Sequence, residues 1–446
     1  MPRPLSDLRD HARRILAAGL QAAAPGAAMR RALRRDGDNL FLTREERRFD
    51  LGILGGVVAV GAGKAAAAMG MALEEILGDR LDGGLLVTKD GHGRALERLG
   101  LVEAAHPVPD ARGLRAAGTM GRLLDSCGSD TLILALVSGG ASALLSLPAK
   151  GLSLEDKAAT NEVLLGSGAD IAACNTVRKH LSSIKGGHAA RRAAPATVVA
   201  LLLSDVIGDS PAVIGSGPFA ADPTTYADAL RVLDTHGLIE AVPSAVRRHL
   251  EAGVRGERPE TPKPGEPIFD RIHTRVIASN RDSLAACRAA AEALGYAVHD
   301  LGGALDAPAE DVAALHADLA RRIRANAGPV PAPACVLSGG EPTVLVIGPG
   351  QGGRNQHLAL AAVPLLAGLE GTVLLSAGTD GTDGPTNSAG AWADGTSAER
   401  AAQAGLDPVS ALRSCDASAF FHALGDLVVT GPTGTNVMDL HITIVG

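Results

Sequence analysis

The chain has 446 residues, with 42 Lys plus Arg against 49 Asp plus Glu and a net charge of −7. That balance supplies no basic surface for nucleic acid or an anionic membrane, and 46% hydrophobic with 20% charged residues excludes large-scale disorder. Only 2% of residues are aromatic while 55 are Gly, so the interior must be built from Ala, Val, Leu and Ile, as suits a layered α/β protein.

Residues 4–23 carry apolar and charged positions at helical spacing, and Pro25-Gly26 ends the run, which predicts an opening surface helix. Charge interrupts this N-terminus every few residues, and no later apolar run reaches a membrane-spanning length, so a cytoplasmic protein is expected. Next come a β-branched run, a Gly loop at Gly61–Gly63 and an Ala-rich helix from about Lys64 to Leu77, a β-loop-α unit. The runs at 83–88, 131–140 and 196–205 are continuously apolar, the mark of strands buried on both faces in a parallel sheet. Residues 169–192 read as one amphipathic helix with an apolar stripe of Ile171, Cys174, Val177, Leu181 and Ile184. The Pro- and Gly-rich stretch 257–270 is the predicted boundary between domains at 1–260 and 265–446. Beyond it, helices near 282–293 and 308–326, an apolar run at 333–348, a helix after Gly353 and a strand-loop-strand close restart the α/β alternation. The expectation is two unlike α/β domains with a cleft between them. Five scattered cysteines without CxxC or a neighbouring His read as buried thiols of a reducing compartment, and zinc is not expected.

Several chemistries are excluded by missing motifs. Gly61-Ala62-Gly63-Lys64-Ala65 lacks the spacing and hydroxyl of a P-loop, and as a dinucleotide fingerprint it is partial, with Ala66 in the third slot and no acidic partner on a clear second strand. The hydrolase elbow is approached at Gly140-Ala141-Ser142-Ala143 and fails at Leu144. What remains is charge placement. Only seven of the 42 basic residues are Lys, yet Lys64 stands at a helix N-terminus behind a Gly loop, where a cation is unfavourable unless an anion is present. Lys64, Gly61, Gly63 and the helix amides are therefore expected to form a phosphate or carboxylate site. Arg354 repeats the arrangement after Gly352-Gly353.

Asp205 and Asp380 each follow an apolar strand and could hold Mg²⁺ or accept a hydroxyl proton, while Asp209 and Asp383 serve as well as turn formers. Asn175 and Arg178 lie one turn apart on a polar face with Ser182 and Lys185, as ligand-facing candidates. The turns Ser138-Gly139-Gly140 and Ser338-Gly339-Gly340-Glu341 offer backbone amides to oxyanions.

These residues resemble the class II glycerate kinases, the glycerate 2-kinases that end in a MOFRL domain. The resemblance rests on GAGKAAAAM at 61–69, HPVPD at 106–110, VSGGASALL at 137–145, NTVRKHLSSIKGGHAA at 175–190, SDVIGD, GSGPFAADPTT, GGEPTV, GGRNQHLALA, SAGTDGTDGPT and GDLVVTGPTGTNVMDL. It implies a Rossmann-like larger domain with a mostly parallel sheet, a smaller α/β domain, an active site in the cleft, and ATP- and Mg²⁺-dependent phosphorylation of D-glycerate to 2-phosphoglycerate. Lys64 and Arg354 map onto the family's active-site cations, and Asp205, from its place at a strand end, is expected to act in catalysis with them. Ligand contacts are expected from Gly61, Gly63, Ser138, Gly139, Gly140, Asn175, Arg178, Glu341, Asn355 and Asp380, and metal contacts from Asp205 and Asp380. The chain departs from the family at His357, commonly Glu, and at Met438, usually Asn. The partners implied are a small hydroxy acid and a nucleotide, with a homodimer left open. The rival readings are an NAD(P)H-dependent hydroxypyruvate or tartronate-semialdehyde reductase, and a non-catalytic hydroxy-carboxylate-binding module.

Overall fold

A computed structural model describes residues 3–43 and 47–446. The chain forms two compact units, Ala28–Ile277 and a second made of the described residues through Ala27 with Ala278–Gly446. Both are α/β, as expected.

In Ala28–Ile277, strands β1 (Leu33–Asp36), β2 (Asn39–Leu42) and β3 (Arg47–Asp50) make a small antiparallel sheet. The main sheet holds β4 (Gly56–Ala62), β5 (Gly83–Lys89), β6 (Gly100–Ala104), β7 (Thr131–Val137), β8 (Thr197–Leu203) and β9 (Ile272–Ala278), in the order β6-β5-β4-β7-β8-β9. The pairs β4–β5, β4–β7, β5–β6 and β7–β8 are all parallel. The first strand of this sheet is thus central and the order reverses between β4 and β7, the doubly wound arrangement whose ligand crevice lies at the strand C-termini of that switch point. Six of the seven positions in β7 and in β8 are buried, as continuous apolar runs require when helices cover both faces.

The second unit carries β10 (Ala297–Asp300), β11 (Ala334–Gly340), β12 (Thr372–Gly378), β13 (Gly390–Asp394), β14 (Leu427–Val428) and β15 (Asp439–Val445), ordered β10-β11-β15-β12-β13-β14. Here β15 runs antiparallel between β11 and β12, so its first residue, Asp439, lies opposite Gly340 and Gly378 at their C-terminal ends.

Three expectations change. Stretch 257–270 leads into β9, which hydrogen-bonds to β8, so the units divide at 277/278 instead of 260/265. The first helix, Leu5–Ala22, is not a surface helix opening the larger unit; Leu8, Ala12, Ile15 and Leu16 are buried with Leu284, Cys287 and Leu440 of the other. A Cβ on Gly19 would lie 2.6 Å from Cys287 Sγ, so glycine permits that close helix approach. Finally, 169–192 is two helices, Ile171–His180 and His188–Ala193. The Ser182 hydroxyl donates to Leu147 O, and Gly186 and Gly187 take φ of 54° and 81°, values a continuing helix cannot use. All five cysteines are free, four buried and Cys127 half-buried. Among the described residues no helix is long and apolar enough to cross a membrane.

Candidate active site

Lys64 leaves the C-terminus of β4 at the switch point. Its amide donates to Gly139 O (2.8 Å), the Gly63 amide to Val87 O (3.1 Å), the Ala65 amide to Ser138 Oγ (3.1 Å) and the Ala66 amide to Gly63 O (3.1 Å). The amides of residues 63–66 are therefore consumed by the fold, which fastens the β4 turn onto the β7 turn. Glycine at 61 and 63 serves this packing: a Cβ would lie 2.0 Å from Leu136 O at Gly61, and 2.1 Å from Ser138 Oγ at Gly63, whose φ is 135°. What the turn presents outward is the Lys64 side chain, half-buried. Its Cγ would lie 3.6 Å from a Cβ on Gly140, which would also meet the His106 ring at 3.1 Å. Burial and then the Lys64 charge lower the His106 pKa to about 4, so this imidazole is neutral at physiological pH.

On the helix Ile171–His180 of the same unit, Asn175 accepts a hydrogen bond from Ser216 Oγ (3.1 Å), and Arg178 Nε donates to Asn161 Oδ1 (2.9 Å). Lys185 sits in the turn between the two helices, where its ammonium binds the carbonyl and hydroxyl of Ser142. Arg178, Lys185, Ser142, Gly140 and His106 share one cavity with Lys157, which the sequence reading passed over. The scarcity of lysine that singled out Lys64 applied equally to Lys157 and Lys185.

In the other unit, Arg354 opens the helix Arg354–Leu366. Its Nε and Nη2 bind the Asp439 carboxylate, the second at 3.2 Å, and Nη1 binds Glu341 Oε1 at 2.7 Å. Three of the five guanidinium N–H groups are thereby engaged, and among the described residues one N–H on each of Nη1 and Nη2 has no partner, a pair that suits a bidentate oxyanion. Asp439 was not predicted. Burial raises its carboxyl to about 6 against the lowering effect of Arg354. Asp383, also buried, accepts from the amides of Asn355 (3.0 Å) and Gln356 (2.8 Å) and so caps this helix, and Asn355 Oδ1 accepts from Ser376. Of the two departures from the resembled family, His357 bonds Glu310 at 2.8 Å, and Met438 has φ of 68°, a left-handed conformation that Asn adopts more readily.

Asp205 and Asp380 occupy equivalent places, each half-buried and two residues beyond a strand C-terminus, β8 and β12 respectively. Asp205 and Lys64 belong to one unit, Asp380 and Arg354 to the other. Asp380 Oδ1 accepts from the amide and hydroxyl of Thr382 (3.0 and 2.9 Å). Among the described residues no three His, Cys, Asp or Glu are grouped to hold a metal by themselves.

Comparison with known proteins agrees with this layout. Residues 11–251 match a family described as a domain of unknown function (DUF4147), and residues 334–439 match the MOFRL family. The chain is 38% identical to a glycerate 2-kinase of Pyrococcus horikoshii over 98% of each chain. It is 43% identical, over 88% of each chain, to an Agrobacterium vitis protein provisionally named hydroxypyruvate reductase. The crystal structure of a glycerate kinase from Thermotoga maritima superposes with a TM-score of 0.87 at 37% identity, covering 99% of this chain and all of that one. On this full-length likeness, the chain belongs to the glycerate kinase family, with a MOFRL domain toward its C-terminus.

Proposed function

We infer that the protein is a glycerate 2-kinase that transfers the terminal phosphoryl group of ATP to the C2 hydroxyl of D-glycerate. The observation that carries this reading is the amide accounting at the β4 turn. A dinucleotide's pyrophosphate needs free amides at this turn and a glycine open to the ligand. Here those amides are spent and Ser138 fills the space. A lysine ammonium in place of an amide cradle suits phosphoryl transfer, in which charge spreads over the moving oxygens. The same accounting speaks against the reductase reading.

In the transfer, the bond from O2 of glycerate to phosphorus forms as the bond from phosphorus to the departing ADP oxygen breaks. Lys64 and the two outer N–H groups of Arg354 offset the charge on the transferring oxygens, with Asp439 and Glu341 fixing the plane of the guanidinium. Asp205 receives the hydroxyl proton. Magnesium takes hard oxygen donors, mostly phosphate and water, so a single carboxylate fits it without a protein-only cluster. Asp380 would hold it, and when bound it neutralises phosphate charge.

Lys64→Ala and Arg354→Ala should each lower kcat on the order of 10²-fold or more, as loss of a transition-state donor does. ³¹P NMR of the product from D-glycerate, ATP and Mg²⁺ reads rate and regiochemistry together. Near-normal turnover in either variant rejects the assignment, and oxidation of NADH with hydroxypyruvate by the wild type would favour the reductase.

A further inference from the structure

The cavity beside Lys64 has a volume of about 770 Å³ and lies wholly within the unit Ala28–Ile277, at the C-terminal side of its parallel sheet. Its lining divides by chemistry. Lys185 and Lys157 are 2% and 4% exposed, and Arg178 stands with them. Among the described residues, none of the three cations is paired with a carboxylate: Lys185 binds Ser142 and Arg178 binds Asn161, both neutral. The Lys157 ammonium has no hydrogen-bond partner at all. A buried cation without an acceptor is unfavourable, and three together gain greatly from a polyanion between them. Burial, then their mutual repulsion, drives the lysines toward neutrality, Lys157 to about 8 and Lys185 well below its ordinary value, and a bound anion would restore their charge.

The outer wall differs. Val108 and Leu165 line the cavity and are 67% and 68% exposed, two apolar side chains left uncovered among the described residues. Along the helix Leu154–Gly166, Glu155, Ala158, Ala159 and Glu162 share one face toward the cavity, two small residues between two acceptors. A three-carbon acid would occupy a fraction of this volume and satisfy a single cation. An apolar slot, carboxylate acceptors for hydroxyls and a cationic floor match a nucleotide. Gly140 and His106 line the cavity, and a Cβ on Gly140 would lie 3.6 Å from Lys64 Cγ, so the phosphate end would lie beside the proposed catalytic lysine.

We propose that this cavity is the nucleoside triphosphate site, with the polyphosphate on Lys157, Lys185 and Arg178, the base between Val108 and Leu165, and the ribose hydroxyls on Glu155 or Glu162. The assignment rests on the phosphotransferase reading above. It is tested on the full-length enzyme by calorimetric titration with ADP and Mg²⁺, and by initial rates with ATP and D-glycerate varied separately. Lys157→Met keeps the volume and removes the charge, and Ala159→Trp, at a half-exposed helix position, fills the slot while leaving the floor intact. Each should weaken ADP binding and raise the KM for ATP about tenfold or more, the worth of one lost charged contact. The KM for glycerate should stay within about twofold, since the acceptor keeps its contacts. A shift in the KM for glycerate alone, or no shift in either, overturns the assignment. Should Lys157→Met fail to fold, Ala159→Trp decides alone. ADP binding that is weakened in the variants of a wild type unable to phosphorylate glycerate would sustain the site and sink the kinase reading. Glycerate phosphorylation with undiminished ADP binding by the variants would do the reverse.

Discussion

Asp439 is buried, and burial holds its carboxyl up at about 6 even though Arg354 lies against it. Between the ordinary value of 3.8 and about 6 the folded chain keeps a proton that the unfolded chain releases. The contribution of this group to stability is therefore complete below 3.8 and is lost as pH rises through about 6. Asp439→Asn removes the titration. Urea midpoints should show the wild type losing ground to the variant as pH rises across that window, and parallel midpoints would refute the shift. The residue was invisible in the sequence because its partner lies 85 positions away, brought near by β15 entering between β11 and β12. Lys64 and Arg354 were legible for the opposite reason: a cation at a helix start is anomalous locally, without reference to its surroundings. The fate of the surrounding amides was not legible, because those acceptors come from β5 and from the turn after β7.

The helix Arg354–Leu366 begins without a capping side chain of its own, since its N-cap is Gly353. Asp383 supplies the cap from the loop beyond β12, meeting two amides that would otherwise be orphaned in a buried place. Asp383→Ala should cost about 1–2 kcal/mol, the upper part of the range for lost N-caps. Because this helix carries Arg354, kcat should fall as well, whereas unchanged chemical-denaturation midpoints would show the cap to be dispensable. From its spacing, Asp383 read equally well as a turn former. Continuous apolar runs located β7 and β8, overrunning their C-terminal ends by three and two residues, since a strand buried on both faces has little else to be. The same reasoning failed over 169–192, where helical spacing persists through a break imposed by a tertiary bond from Ser182 and by two left-handed glycines.

At the scale of the molecule, the larger unit is an insertion between the first helix and the chain that this helix packs upon. A fragment of residues 278–446 lacks that helix and bares Leu284, Cys287, Leu440 and Ile442, so it should be insoluble or molten. The same fragment with Leu5–Ala22 joined through a flexible linker should give a cooperative thermal transition. Equal stability of the two fragments would mean that the helix is an accessory. This arrangement could not be read from the Pro-rich boundary, which marks a change of composition and says nothing of which unit an amphipathic helix will cover.

The discontinuity also orders events at the ribosome. Leu5–Ala22 emerges before the intervening unit, yet the surface that buries Leu8, Ile15 and Leu16 is translated after it. Throughout synthesis of the intervening unit, a greasy helix face must wait uncovered, a natural handle for nascent-chain chaperones and the point at which premature release would be most damaging.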